Sequence, residues 1–170
     1  MSRVIAVLLA SLLITVAAQS LAQDCSLAVM FEDGEGNLVD QIFLGGFEPF
    51  NGHLVLMSDL DELSGFSANI VIDPPTVLLI QGPSGPNGFT NYGTWTQIVA
   101  GYTTPLPILE ETVLCTLQMM TTVETSTTIC VTDAIVGEGP CLGLCSEINP
   151  VVASEASTFS AIKAMFDQGR

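Results

Sequence analysis

The 170-residue sequence predicts an all-β fold. The expected architecture is an antiparallel β-sandwich of about eight strands. Three observations carry this. Short runs rich in Val, Ile, Leu and Thr alternate with polar positions at a period of two. Gly, Pro, Asn and Asp clusters interrupt them every ten or so residues. Helical spacing appears only near the C-terminus, where Phe159, Ile162 and Phe166 share a face behind Ser157 as a candidate N-cap. The clearest strand is Gly65–Ile72, in which Phe66, Ala68, Ile70 and Ile72 alternate with Ser67 and Asn69. Asp73-Pro74-Pro75 stops it, because proline fixes φ and cannot donate to a ladder. Thr76–Ile80 follows as a second apolar run, and the two strands with their proline corner read as one sheet unit.

Taken from the start, residues 1–22 read as a cleaved signal peptide. Arg3 supplies the positive region, Val4–Val16 the apolar region and Ser20-Leu21-Ala22 the small residues of a cleavage site. Cleavage is expected after Ala22, with Ala18 as the alternative. The apolar run is short for a spanning helix and no second one follows, so no transmembrane anchor is expected in the mature chain. Gln23 and Asp24 precede Cys25 where a lipobox needs small residues. Removing 22 of 170 residues leaves about 148, enough for one domain with a core. The expected divisions are a β-sandwich domain over 23–153 and a tail or short helix over 154–170. Lys163 and Arg170 are then the only basic side chains against all 18 acidic ones, a net charge of −16. Such a surface argues against nucleic acid and against anionic membrane as partners.

Cys25–Phe31 is the first mature strand, followed by the turn Asp33-Gly34-Glu35-Gly36-Asn37. Asp33, Glu35 and Asn37 are spaced like the start of a calcium loop. Leu38 and Leu44 stand where the sharp-turn glycine and bidentate glutamate belong, so a solvated turn is the expected reading. Asp59 and Asp61, with Glu62, form a second acidic loop that could attract a cation. No cofactor or metal site is assigned; calcium is the one ion these residues suit. Gln41–Leu44 is a short apolar segment and Phe47–Phe50 a loop bracketed by Gly45-Gly46 and Asn51-Gly52. His53–Met57 is a strand. His53 is the only histidine, without partners at zinc-ligand spacing.

Gln81–Gly93 is rich in Gly, Pro, Asn and Ser and reads as a long loop, and Thr94–Tyr102 as a strand. Tyr92, Trp95 and Tyr102 are the candidate ligand-binding residues: a row of exposed rings would stack on sugar, whereas core filling is the commoner use of such rings. Thr103–Leu109, with Pro105 and Pro107, suits an edge or crossover. Thr112–Met120 presents Val113, Cys115, Leu117 and Met119 on one face. Ser126–Thr132 is expected to run back against it as a hairpin, and Gly137–Cys145 reads as a Gly-rich loop.

Five cysteines in a secreted chain leave one unpaired. Cys115 lies on an apolar strand face and is the candidate free thiol. Cys130 is out of phase with Ile129 and Val131 and should point away from the core. Cys25, Cys130, Cys141 and Cys145 are then the disulfide candidates. Three pairings are open, with Cys130 to Cys141 or Cys145 favoured.

At residues 27–135 the order of features resembles the cohesin-like sandwich, a fold shared with several carbohydrate-binding modules. The segments that carry the resemblance are HLVLMSDLDELSGFSANIVIDPPTVLLI and TVLCTLQMM. The chain is also similar to small secreted bacterial proteins with an IVAGYTTPLPI-like segment before TVLCTLQMM. The resemblance implies the fold and transfers no binding residue. The leading functional expectation is a secreted, non-enzymatic β-sandwich that recognises an extracellular protein or a polysaccharide. The alternative is a structural, envelope-associated protein. A carboxylate-dependent hydrolase ranks third, since Asp59, Asp61 and Glu62 share one loop where water keeps them ionised.

Overall fold

The computed structural model describes residues 25–150. The expected leader over 1–22 and the expected tail or helix over 154–170 lie outside the described residues. Twelve strands follow in chain order. They are β1 (Cys25–Glu32), β2 (Leu38–Val39), β3 (Gln41–Ile42), β4 (Pro49–Ser58), β5 (Glu62–Asp73) and β6 (Val77–Ser84). Then come β7 (Thr90–Asn91), β8 (Gln97–Pro107), β9 (Thr112–Thr121), β10 (Thr127–Val136), β11 (Gly139–Gly143) and β12 (Cys145–Ile148). The all-β class is as expected. The extra strands are short pairings that carry too few residues to show a periodicity.

One layer runs β6-β9-β4-β1 and the other β10-β5-β8-β7. They join because β11 pairs with β1 on one side and β10 on the other. Pairing is antiparallel, as expected, except at two short ladders: β1–β11 and β12–β3 are parallel. Two corrections concern connectivity. β5 and β6 do not pair; β5 lies between β10 and β8, and β6 pairs with β9. The Asp73-Pro74-Pro75 corner therefore carries the chain from one layer to the other. β9 and β10 are likewise in opposite layers, so they are not a hairpin. Alternation shows which face of a strand is buried, but it is silent about which strand lies alongside.

The core lies between the layers. Leu27, Val29 and Phe31 of β1, Leu54 and Leu56 of β4, Leu117 and Met119 of β9, and Ile129 and Val131 of β10 are buried in it. The β9 face departs from the expected one. Leu54 pairs with Cys115 and Val55 with Val113, so Leu114 is an extra residue in a bulge. The phase slips there: Val113 turns outward to half-burial while Leu114 and Thr112 are buried.

The segments read as loops are also more ordered than their composition suggests. β4 starts at Pro49, β6 extends to Ser84, and β8 continues through Pro105 to Pro107 beside β5. Gly137–Cys145 is mostly β11 rather than a loop. Glycine and proline weaken a strand without forbidding it where the ladder does not need their side chains or N–H groups.

Candidate functional site

The cysteines form two disulfides, Cys25–Cys141 and Cys130–Cys145, and leave Cys115 buried and free. Cys130 sits directly opposite Cys145 in the β10–β12 ladder, with its side chain on the outer face of the layer. Cys25–Cys141 ties the first strand to β11 across 116 residues.

The three candidate rings do not form an exposed row. Tyr102 is buried and its hydroxyl donates to the Leu114 carbonyl at 2.9 Å, bridging the two layers. Its ring packs on Phe89 and Phe66, with centroids 5.8 Å and 6.4 Å away. Trp95 is half-buried against the core. Only Tyr92 stands open, at 76% exposure.

The carboxylate candidates are separate. Asp33 accepts the backbone N–H groups of Glu35 and Asn37 at 2.8 Å each, and the Asn37 amide bonds both of its oxygens. The Asn37 side chain foremost, with these N–H groups, holds the Asp33 carboxyl below its ordinary pKa. This is a self-satisfied Asx turn. Among the described residues no group of three His, Cys, Asp or Glu side chains could hold a metal ion. His53 lies on the outer face of β4, with Nδ1 3.0 Å from Thr116 Oγ1 and Nε2 3.7 Å from a Glu32 carboxylate oxygen.

The feature that alternation alone could not assemble is the outer face of β7-β8-β5-β10. Register places Ile135, Ser67 and Val99 in one row across three strands. Thr132, Asn69 and Gln97 form the next row, and Cys130 and Val71 the one after. Tyr92 closes the first row: a Cβ built on Gly101 would lie 3.9 Å from its ring, so the ring covers β8 where a side chain is missing. Val71, Val99, Ile135 and Tyr92 are all exposed. No ionisable residue occurs within 67–71 or 97–101. Asp133 stands at the margin, in a bulge with φ 49°, and accepts from the Asn69 amide at 2.9 Å. The three rows are thus apolar and uncharged-polar, with the Asp133 carboxylate beside them. Such a patch on a rigid sheet suits recognition by shape and desolvation.

No protein-family model matches the chain, and no curated protein matches it either. Solved structures do. The chain is similar to a cohesin module from a family 33 glycoside hydrolase of Clostridium perfringens ATCC13124. That similarity has a TM-score of 0.53 and 12% identity, covering 75% of this chain and 98% of the module. It is also similar to the third ScaB cohesin of R. flavefaciens, solved in complex with a group 1 dockerin, with a TM-score of 0.53 and 11% identity over 75% of this chain and 95% of the other. A non-cellulosomal cohesin from the archaeon Archaeoglobus fulgidus gives a TM-score of 0.50 and 10% identity over 80% and 97%. The fold is therefore a cohesin-like β-sandwich.

Proposed function

We propose that this protein is a secreted, non-enzymatic recognition module that binds another protein through the outer face of β7-β8-β5-β10. The observation that carries the reading is the Ile135–Ser67–Val99 row with Tyr92 at its end, an exposed stretch without charged side chains across three strands of one layer. The fold adds support, because several cohesins of this fold were solved with dockerin proteins bound. Two disulfides suit an oxidising compartment outside the cytoplasm. A polysaccharide is the less favoured ligand, since Tyr102 and Trp95 leave Tyr92 as the one fully open ring of the three.

The test is affinity capture from the envelope and culture fluid of the source organism, using protein with its disulfides formed, with and without calcium. Capture of a protein by the wild type, lost with Val99→Lys, is the expected result. Retention of a polysaccharide alone, unaffected by Val99→Lys, would replace this reading with a glycan-binding one.

A further inference from the structure

A second surface lies on the other layer. The end of the β6-β9-β4-β1 layer carries a cleft of about 540 Å³. Ile42, Phe43, Leu44 and Phe50 supply much of its apolar lining, and Glu32, Asp33 and Glu48 are the acids beside them. Phe43 is 65% exposed, and Phe47 in the same loop is 70% exposed. Phe47 also has φ 61°, a left-handed conformation that a bulky side chain rarely adopts. Thr121 clamps it there: the Phe47 N–H donates to the Thr121 carbonyl, and Thr121 Oγ1 donates to the Gly45 carbonyl at 2.6 Å. The loop is held in a strained shape that leaves two phenylalanines open to solvent, and such strain is kept where surrounding contacts enforce it.

The C-terminal segment leaves the sandwich at this cleft. Asn149, φ 49°, accepts the Leu44 N–H through Oδ1 at 2.7 Å and donates to the Leu44 carbonyl through Nδ2 at 2.8 Å. Its own N–H donates to the Ile42 carbonyl. Residues 151–170 lie outside the described residues, and their sequence matches the cleft. Phe159, Ile162 and Phe166 repeat at i, i+3 and i+7, the spacing of side chains that enter an apolar groove together. Lys163 and Arg170 are the only cations after residue 3, so residues 25–150 contain none. With Glu155 and Asp167 the segment sums to zero charge, whereas a second copy would bring its own acidic surface against Glu32 and Glu48. Reach is ample, since the nine residues from Pro150 to Phe159 span up to about 30 Å.

We infer that this cleft is the docking site of the chain's own segment 151–170, with Phe159, Ile162 and Phe166 against Phe43 and Phe47 and Lys163 toward the acidic rim. The inference is independent of the recognition face, which lies on the other layer.

The experiment places a photocross-linker by Phe43→p-benzoylphenylalanine in the disulfide-bonded protein, using a mixture of ¹⁴N- and ¹⁵N-labelled chains. Mass spectrometry of the digest is expected to find cross-links to peptides from 151–170 in which both peptides carry the same isotope. Phe159→Ser with Phe166→Ser should lower the yield at least about tenfold. Lys163→Glu should lower it roughly twofold to fivefold at low ionic strength. Cross-links of mixed isotope would mean that a second copy fills the cleft, and would overturn the inference. So would a same-chain yield unchanged by the two serine substitutions. Leu78→p-benzoylphenylalanine, at an exposed position on the edge strand, is the control and should not capture this segment.

Discussion

The Tyr102 hydroxyl is the polar tip of a ring otherwise surrounded by Phe66, Phe89 and the floor of β9. Burial first, and then proximity to Cys115, pushes its phenol pKa above the ordinary value. Burial pushes the Cys115 thiol up to about 12. Both groups are held neutral by the fold, and both have folded pKa values above their unfolded ones. Their contribution is therefore complete below about pH 8.5, the thiol's unperturbed value. It is lost as pH rises towards the folded values. Urea midpoints should fall between pH 9 and pH 12 and be flat from pH 7 to pH 8.5. Tyr102→Phe should cost about 1–3 kcal/mol in denaturant unfolding, because the buried Leu114 carbonyl loses that donor. Residue type alone marked Tyr102 as a ring with a polar handle. Whether the handle met water or a backbone carbonyl depended on β9 lying across the core, which is a property of the pairing.

At the scale of strands, alternation was legible and pairing was not. The inward set Phe66, Ala68 and Ile70 is buried as a period of two requires. The outward phase of Cys130 also holds, and it places that sulfur opposite Cys145 on the outer face. The expected β9 face failed at Val113 because an extra residue entered the strand at Leu114, and nothing local in TVLCTLQMM announces a bulge. The two disulfides differ in reach. In the chain-entropy view, Cys130–Cys145 closes a loop of 15 residues and Cys25–Cys141 one of 116. Replacing the first pair with alanines should cost about 3 kcal/mol and the second about 4–5 kcal/mol. Unfolding midpoints of the two double variants measure this directly, and a larger loss for Cys130–Cys145 would show that local strand geometry outweighs chain entropy.

For the whole molecule, the dominant fact is charge. Of the 18 acidic residues only Asp24, Glu155 and Asp167 fall outside residues 25–150, and the other 15 meet no Lys or Arg there. The melting temperature should therefore rise as sodium chloride goes from about 10 mM to about 150 mM, where the screening length shrinks from about 30 Å to about 8 Å. An unchanged melting temperature would mean that the carboxylates are too dispersed to repel. The Ile135–Ser67–Val99 row, which carries no charge, becomes visible as one patch only once register is known. In the sequence, Val71, Val99 and Ile135 are single apolar residues spread over 65 positions, and only the β5 ladders bring them together.

The most direct measurement of the recognition claim is the affinity of the captured protein partner for three variants of this module. Ile135 and Leu78 are equally exposed, at 51% each, but they stand on opposite layers. Val99→Lys and Ile135→Lys should each weaken binding by more than about tenfold, and Leu78→Lys should leave it within about twofold. Binding that survives both β8 and β10 substitutions but is lost with Leu78→Lys would contradict the account and move the partner to the other layer.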